Sequence, residues 1–221
     1  MYDYGCVVPL ETEARPLIQR LKHKRARKEA SRKIYTGTIH NKNITLVISG
    51  CGKIKSASAT QYLIDHFPAA VYFHFGTAGA LSNTLKIGDS IIARCIIEHD
   101  VKILFPHKIP PRRYHISVRA VEQRLRTYRE VPWVSGTILS GDEDVVSTKR
   151  KRALYRDLKG LSVDWESAGF ALTCQLNKVK GYIVRVISDY AHEGTVVEYP
   201  KNQRRAVMNV TQLLIYLFDT L

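Results

Sequence analysis

Apolar and polar positions follow two different periods along this chain. Continuous apolar runs of about four to eight residues predict buried strands, whereas apolar positions recurring every three or four residues predict helices. The runs predict strands at residues 6–10, 34–39, 44–48, 69–75, 90–97, 134–139 and 182–187. The helical periodicity predicts helices at residues 11–23, 53–66, 116–128, 147–158, 166–176 and 208–218.

Buried strands that alternate with helices are typical of the α/β class. We therefore predict a three-layer α/β/α sandwich with a largely parallel central sheet. The turn-rich triplet 41–43 separates two strands and predicts a hairpin, which makes the sheet mixed. No repeat or low-complexity linker interrupts the pattern, so we predict a single domain over residues 1–221. Residues 100–113 contain three prolines without clear periodicity and predict a long loop.

Two carboxylates stand at positions suited to ligand binding. The last core strand ends on Ser188-Asp189, and in α/β sheets ligands bind at the carboxyl ends of the strands. Glu166 begins an apolar helix about one βα unit earlier. Arg185 lies inside the apolar strand, and a buried arginine implies a nearby anion, for which Glu13 is a candidate. Acids placed in this way could hold a sugar and protonate a leaving group.

Two glycine-rich segments could approach a ligand closely. We predict that Gly76-Thr77-Ala78-Gly79 forms a loop after a buried strand, where small residues let the backbone contact a phosphate, a base or a ribose. Gly50-Cys51-Gly52-Lys53 resembles a P-loop only faintly, because Val47 and Ile54 occupy positions that the motif reserves for glycine and for serine or threonine.

Four segments, in sequence order, resemble the nucleoside phosphorylase and nucleosidase superfamily, and within it most closely the methylthioadenosine/S-adenosylhomocysteine nucleosidases. They are SGCGK (49–53), FGTAGAL with LKIGD (75–89), VDWESA (163–168) and VRVISD (184–189). The resemblance extends from about Val7 to Ala191. It implies the nucleoside phosphorylase fold, hydrolysis of purine nucleosides in pathways such as methionine salvage, a homodimer, and neither a metal nor an organic cofactor.

The resemblance also implies roles for individual residues. Asp189 matches the acid that faces the base, and Ser188 matches the serine that orients it. Glu166 matches the glutamate that binds the ribose hydroxyls. Glu13 and Arg185 match the pair that holds the attacking water. The remaining substrate-binding candidates lie beside the ribose or in the base-binding segment, and they are Trp165, which replaces the usual methionine, Thr77, Gly79 and Val145.

Two departures from the family pattern leave alternatives open. Hexameric phosphorylases carry an arginine where this chain has His74, so water is favoured over phosphate as the acceptor. Asp144 occupies the place of the aromatic residue that stacks on adenine, so the base platform is changed. A futalosine-type hydrolase that acts on hypoxanthine nucleosides, a phosphate-dependent phosphorylase and an inactive relative on the same fold remain alternatives.

The charge of the chain is unusual. Lys and Arg number 34 against 20 Asp and Glu, which gives a formal net charge of +14. Much of the excess lies from Arg20 to Lys33, where no aromatic side chains are interleaved as a base-stacking platform would require. We predict that this basic segment is a solvated helix end and loop. The alternative is weak polyanion binding, and in its extreme form a non-catalytic polyanion-binding protein on the same fold.

The remaining composition is that of a soluble globular protein, with 45% hydrophobic and 24% charged residues. No apolar run approaches the roughly 18 residues of a membrane span, and the amino terminus lacks the features of a secretory signal. We therefore predict a cytoplasmic protein without membrane contact. Four widely spaced cysteines, without CxxC pairs or histidine-rich ligand spacings, predict reduced thiols and no metal site.

Overall fold

The computed structural model describes residues 1–101 and 109–221, and its strands join into one ten-stranded sheet. The strands are β1 (Tyr2–Val8), β2 (Lys22–Glu29), β3 (Arg32–Ile39), β4 (Lys42–Ile48), β5 (Ala69–Ala80), β6 (Ser90–Glu98), β7 (Arg113–His115), β8 (Trp133–Ser140), β9 (Ser162–Asp164) and β10 (Gly181–Asp189). The helices are α1 (Glu11–Arg20), α2 (Lys53–His66), α3 (Arg119–Leu125), α4 (Thr148–Leu158), α5 (Ser167–Leu176) and α6 (Thr195–Thr220). The loop predicted at 100–113 lies mostly outside the described residues.

The sheet is mixed, as predicted, but less parallel than expected. β1 runs parallel to β4 and β5, and β10 runs parallel to β5. Of the ten pairings within the described residues, five are antiparallel: the two hairpins β2–β3 and β3–β4, the pairings of the short strands β7 and β9, and the pairing of β10 with β6. β10 pairs with both β5 and β6, and β8 and β9 close the ring of pairings at this end of the sheet.

Helices cover both faces of the sheet and confirm the three-layer sandwich. On β10, Tyr182, Val184 and Val186 face the cluster formed with α1, α3 and α6. Ile183 and Ile187 face the opposite cluster, formed with α2 and α5. This alternation follows from the two-residue period of a strand, and a strand buried on both faces needs apolar residues at every position. Within residues 182–187 of β10 the exception is Arg185, which lies on the α2 and α5 side.

The glycine segment is not a loop, contrary to the sequence prediction. β5 continues through Gly79 because β10 pairs with it to Asp189, and β9 pairs with its last residues. The glycines provide space within the strand instead. A Cβ atom on Gly76 would lie 2.6 Å from Arg185 Nη1, and one on Gly79 would lie 2.9 Å from Asp189 Oδ1.

The prediction of a helix end and loop for the basic segment is also wrong. Helix α1 ends at Arg20, and the following residues form β2, an edge strand paired antiparallel with β3. All residues from Lys22 to Lys28 are exposed. The run carries no alternation of apolar and polar residues, so the period of the strand is invisible in the sequence. Lys and Arg on an edge strand also oppose pairing with other chains.

Candidate active site

A cavity of about 420 Å³ opens where the parallel strands β1, β5 and β10 end. The carboxyl ends of parallel strands meet at one edge of a sheet, so the segments that follow them surround a common space. Eight of the nine predicted site residues line this cavity: Glu13, Thr77, Gly79, Val145, Trp165, Glu166, Ser188 and Asp189. Arg185 does not line it and lies behind the wall that they form.

Glu13 lies in the first turn of α1 and is 2% exposed. Its Oε1 accepts hydrogen bonds from the Thr77 backbone N–H at 2.8 Å and from the Thr77 hydroxyl at 2.6 Å. Its Oε2 accepts a weaker bond from the Leu10 backbone N–H at 3.3 Å. Burial raises the pKa of Glu13, while the hydrogen bonds from Thr77 and the charge of Arg185 oppose that rise.

Arg185 is fully buried and is held by two carboxylates. Its Nε lies 2.7 Å from Asp164 Oδ2, and its Nη2 lies 3.2 Å from Glu166 Oε2. The predicted ion pair between Arg185 and Glu13 is therefore wrong. Among the described residues the ion-pair partners of Arg185 are Asp164 and Glu166, and no Glu13 oxygen lies within ion-pairing distance. Nη1 has no hydrogen-bond partner in the described part of the chain. Nη1 and Glu13 Oε2 both border the space beside Gly76, because a Cβ atom on Gly76 would lie 2.6 Å from Nη1 and 3.0 Å from Oε2.

Asp164 is an ion-pair partner that the sequence reasoning missed. Besides pairing with Arg185, its Oδ1 accepts hydrogen bonds from the backbone N–H groups of Glu166 and Ser167 at 3.1 and 3.0 Å. The Ser167 hydroxyl donates to its Oδ2. An aspartate just before an apolar helix is a sequence signal for a helix cap. The contact with Arg185 joins β9 to β10 and has no signal in the local sequence.

Glu166 occupies the N-cap position of α5, where its side chain makes no cap hydrogen bond, and it is 6% exposed. Its Oε1 accepts a hydrogen bond from the Gly52 backbone N–H at 3.1 Å, and its Oε2 contacts Arg185. Burial raises the pKa of Glu166 to about 7, although Arg185 opposes the rise. The neighbouring Trp165 lines the cavity, and its indole N–H donates to the Glu143 carbonyl at 3.0 Å. The Trp165 N–H is therefore already satisfied within the protein.

Asp189 lies at the end of β10 and is 6% exposed. Its Oδ2 accepts a hydrogen bond from the Ser188 hydroxyl at 2.9 Å. Its Oδ1 accepts from the Ala191 backbone N–H and from the Thr195 hydroxyl, both at 3.0 Å. Three donors therefore hold the carboxyl group in one orientation at the wall of the cavity. Thr195 begins α6, and its contact with Asp189 was not predicted from the sequence.

Helix α6 brings a further unpredicted side chain, Tyr199, to the cavity. The Tyr199 hydroxyl accepts a hydrogen bond from Gln203 Nε2 at 2.6 Å, and burial raises its pKa to about 12. The predicted helix began only at residue 208, because Pro200 and the polar residues after it hide the apolar period. Tyr199 was consequently assigned to no element.

Two basic residues near the glycine-rich segments, Lys53 and His74, are not available to bind an anion. Lys53 Nζ lies 3.2 Å from Glu98 Oε2 and 2.7 Å from Asp100 Oδ1, so it is neutralised by carboxylates. His74 is fully buried, its Nε2 lies 3.3 Å from the Ser56 hydroxyl, and burial lowers its pKa well below the usual range. His74 therefore remains uncharged and cannot serve as a phosphate clamp.

The cavity is acidic although the whole chain is strongly basic. Six carboxylates line it, and none of its lining residues in the described ranges is a lysine or an arginine. The six are Glu13, Glu143, Asp144, Asp164, Glu166 and Asp189. Such a lining stabilises positive charge that develops on a ligand and disfavours a bound anion. Within the residues described, no group of three or more His, Cys, Asp and Glu side chains is arranged to hold a metal ion.

Two nucleosidase sequences and one nucleosidase crystal structure are similar to this chain over most of its length. The 5'-methylthioadenosine/S-adenosylhomocysteine nucleosidase of Oceanobacillus iheyensis is 27% identical over 220 residues, covering 96% of each chain. The aminodeoxyfutalosine nucleosidase of Helicobacter pylori is 30% identical over 195 residues, covering 85% of each chain. The crystal structure of the Neisseria meningitidis 5'-methylthioadenosine/S-adenosylhomocysteine nucleosidase with methylthio-immucillin-A superposes with a TM-score of 0.93 at 26% identity, over the full length of both chains.

The family relationship rests on the sequence profile as well as on these individual relatives. The profile of the phosphorylase superfamily matches residues 3–219, which is almost the entire chain. The matched region contains the ten-stranded sheet except for Tyr2, the first residue of β1, and it contains every residue that lines the cavity. This chain belongs to the phosphorylase superfamily.

Proposed function

We propose that this protein is a purine-nucleoside N-ribosyl hydrolase that cleaves the N-glycosidic bond of 5'-methylthioadenosine or S-adenosylhomocysteine-type nucleosides. The observation that carries the proposal is the convergence of Glu13, Glu166 and Asp189 on one cavity with Arg185 directly behind it. Related nucleosidases over the full length of the chain support the same activity. We take the 221 residues to act as one domain.

In this mechanism Asp189 donates a proton to the departing base, and Glu166 accepts hydrogen bonds from the ribose hydroxyls. The N-glycosidic bond breaks with its electron pair moving to the base, so positive charge grows on the sugar. Nearby carboxylates stabilise such an oxocarbenium-like state without attacking it. Ser188 and Thr195 hold the Asp189 carboxyl group, which keeps the acid aligned with the base.

The attacking water is held between Glu13 and Arg185. Among the described residues Arg185 Nη1 has no hydrogen-bond partner. The point that a Gly76 Cβ would occupy lies 2.6 Å from this Nη1 and 3.0 Å from Glu13 Oε2, and it is open because glycine has no side chain. The water oxygen bonds to the anomeric carbon, and Glu13 accepts the released proton. The raised pKa of Glu13 suits a general base, because its conjugate acid is not too strong. Thr77 orients Glu13 through two hydrogen bonds.

Water is favoured over phosphate as the acceptor. Phosphate would need a cationic clamp, but His74 is buried and uncharged, and Lys53 is paired with two carboxylates. The acidic lining of the cavity would repel the anion further. Phosphorolysis is therefore the weaker alternative. The futalosine-type alternative differs from the main proposal in the released base, which would be hypoxanthine and not adenine.

We further propose a cytoplasmic homodimer that acts in nucleoside catabolism and methionine salvage. The resemblance to the nucleosidases supports this, and exposed apolar side chains near the cavity are consistent with a subunit contact. Ile54 at the start of α2 is 81% exposed, and Val196 and Val197 at the start of α6 are each 73% exposed. No described helix is long and apolar enough to cross a membrane. Analytical ultracentrifugation should show a dimer for wild type and a larger fraction of monomer for Ile54→Lys.

Weak polyanion binding is a second candidate, supported by the exposed basic edge strand β2. In the described structure Lys22, Lys24, Arg25 and Lys28 make no ion pair, whereas Arg27 pairs with Glu29. Retention on heparin that falls steeply with salt would support binding, and Lys24→Glu with Arg25→Glu should abolish it. Equal retention of the double variant and wild type would contradict a role for this strand.

The activity is tested by incubating the protein with methylthioadenosine, S-adenosylhomocysteine, inosine and futalosine, with and without phosphate. Chromatography of the free base then reports both the reaction and the base. We expect adenine release without phosphate, and loss of that release in Asp189→Asn. Absolute phosphate dependence would favour a phosphorylase, and hypoxanthine release from futalosine would favour the futalosine-type alternative.

A further inference from the structure

Lys151 on α4 is a charged side chain that the proposed mechanism does not use, and it is only 9% exposed. Its Nζ makes one hydrogen bond in the described part of the chain, to the Tyr190 carbonyl at 2.9 Å, and no ion pair there. Burial lowers the pKa of Lys151, and the negative charges of Glu198 and Asp189 oppose that decrease. A buried lysine without an ion pair is rare in proteins, and buried charges of this kind are concentrated at functional sites.

One planar peptide group joins Lys151 to Asp189, the proposed acid. The Tyr190 carbonyl and the Ala191 N–H belong to the same peptide group, in which resonance keeps the atoms in one plane. Lys151 donates to the oxygen of this group, and the N–H of the group donates to Asp189 Oδ1 at 3.0 Å. The two hydrogen bonds therefore lie at opposite ends of a rigid unit, and a displacement of the carbonyl also displaces the donor that faces Asp189.

The charge of Lys151 also strengthens the second hydrogen bond. A cation at the carbonyl oxygen polarises the peptide group, so that its N–H becomes a better donor. The Asp189 Oδ1 atom is held by this N–H and by the Thr195 hydroxyl. Loss of the Lys151 donor should weaken the hold on Asp189 without removing any group from the cavity, because Lys151 does not line it.

The turn after Asp189 has a backbone conformation that must be held in place. Ala191 has a φ of 50°, in the left-handed region that residues with a Cβ atom rarely adopt. Such conformations persist where the surrounding structure fixes them. Here Glu198 on α6 accepts the Tyr190 N–H at 3.0 Å, and Lys151 on α4 binds the Tyr190 carbonyl. Charged side chains from two helices therefore fix this turn at both polar groups of Tyr190.

We infer that Lys151 is a positioning residue for the reaction, which fixes the peptide group between Tyr190 and Ala191 so that its N–H aligns the carboxyl group of Asp189. This inference rests on the proposed hydrolysis and adds to it a residue outside the cavity. Alignment of the acid affects the chemical step, whereas the groups that contact the substrate are unchanged. The effect of Lys151 therefore belongs to kcat and not to KM.

The test compares wild type with Lys151→Met, Lys151→Arg and the control Lys149→Met, which changes an exposed lysine on the same helix. Methionine fills similar space without a donor, and replacement of a buried charge by an apolar side chain of similar volume is generally tolerated. For adenine release from 5'-methylthioadenosine, Lys151→Met should lower kcat about tenfold and leave KM within about twofold, as expected for one lost hydrogen bond to a charged group. Lys151→Arg keeps a charged donor and should retain at least about a third of the wild-type kcat.

Three outcomes of these assays would overturn the inference. The first is a wild-type kcat in Lys151→Met. The second is an equal loss of kcat in Lys151→Met and Lys149→Met, because the loss would then not depend on the buried position. The third is an equal loss in Lys151→Met and Lys151→Arg, because a charged donor would then not be the cause.

A measurement on the free protein separates this inference from the hydrolysis. Selective labelling of alanine with ¹⁵N reports the Ala191 N–H, whose resonance is assigned by its absence in Ala191→Gly. A weaker hydrogen bond moves an amide proton resonance upfield, so we expect an upfield shift for Ala191 in Lys151→Met and none in Lys149→Met. If wild type releases no base from any nucleoside but Ala191 shifts in this way, the hydrolase proposal fails and the coupling of Lys151 to Asp189 stands. If adenine is released and Lys151→Met changes neither kcat nor the Ala191 resonance, the role of Lys151 is refuted and the hydrolase proposal stands.

Discussion

The buried pair of Asp164 and Arg185 gives the most stringent test of how the site is built. The two side chains are 1% and 0% exposed, and Nε lies 2.7 Å from Oδ2. Asp164→Asn preserves the shape and can keep the two backbone hydrogen bonds at the start of α5, but it removes the charge that faces Nε. An amide nitrogen at that position would also place a donor against a donor.

The magnitude follows from the burial. Removal of one partner from a buried ion pair costs about 3 to 5 kcal/mol, because the other charge remains desolvated. Glu166 still contacts Arg185 at 3.2 Å, so we expect the lower value, about 3 kcal/mol. With a urea m-value of about 3 kcal/mol/M for a chain of this size, the midpoint of unfolding should fall by about 1 M.

The assay is urea denaturation of wild type, Asp164→Asn and Asp157→Asn. Asp157 pairs with Arg156 on the surface, where both side chains are more than half exposed, so its substitution should leave the midpoint unchanged. Equal midpoints for Asp164→Asn and wild type, with unchanged m-values, would refute the reasoning that Arg185 depends on Asp164.

Three further predictions concern the cavity. Gly76→Ala should lower kcat, measured in steady-state assays, by about 100-fold or more. The new Cβ would lie 2.6 Å from Arg185 Nη1, so the Arg185 side chain must move, and a shift of this size in a catalytic group has a cost of that order. Thr77→Val should lower kcat about tenfold and leave KM nearly unchanged, since it removes the hydroxyl that orients Glu13 but not the ribose contact. Burial raises the pKa of Glu166 from 4.5 to about 7, so between these pH values the folded state binds more protons than the unfolded state. The contribution of Glu166 to the free energy of unfolding therefore decreases as the pH rises from about 4.5 to 7. In urea denaturation at a series of pH values, Glu166→Gln should make the free energy of unfolding depend less on pH between about 4.5 and 7. The same pH dependence in Glu166→Gln and wild type would contradict the raised pKa of Glu166.

Much of the architecture could be predicted because the period of the hydrophobic positions is a local property. Helix α2 occupies the predicted residues 53–66, and β3 and β4 form the predicted hairpin, although its turn lies at residues 40–41 and not at 41–43. Strands without apolar alternation could not be found in this way. β2 is built from charged residues at the sheet edge, and β7 and β9 have three residues each, too few to display a period.

The site was predictable where a motif names a residue and not where a contact depends on tertiary structure. Glu166 and Asp189, which lie in two of the motif segments, and Glu13, which the family resemblance implies, line one cavity. The partner of Arg185 depends on how β9 and β10 are placed, and Asp164 could not be identified from spacing alone. Tyr199 remained unassigned because Pro200 interrupts the apolar period at the start of α6.

The central claim is that Asp189 protonates the base of a purine nucleoside while water accepts the ribosyl group. The most direct measurement is adenine release from 5'-methylthioadenosine in phosphate-free buffer by wild type, Asp189→Asn and the surface control Asp157→Asn. The account predicts release by wild type and the control at the same rate, and none detectable with a folded Asp189→Asn. Equal rates for all three proteins, or release only after phosphate is added, would contradict it.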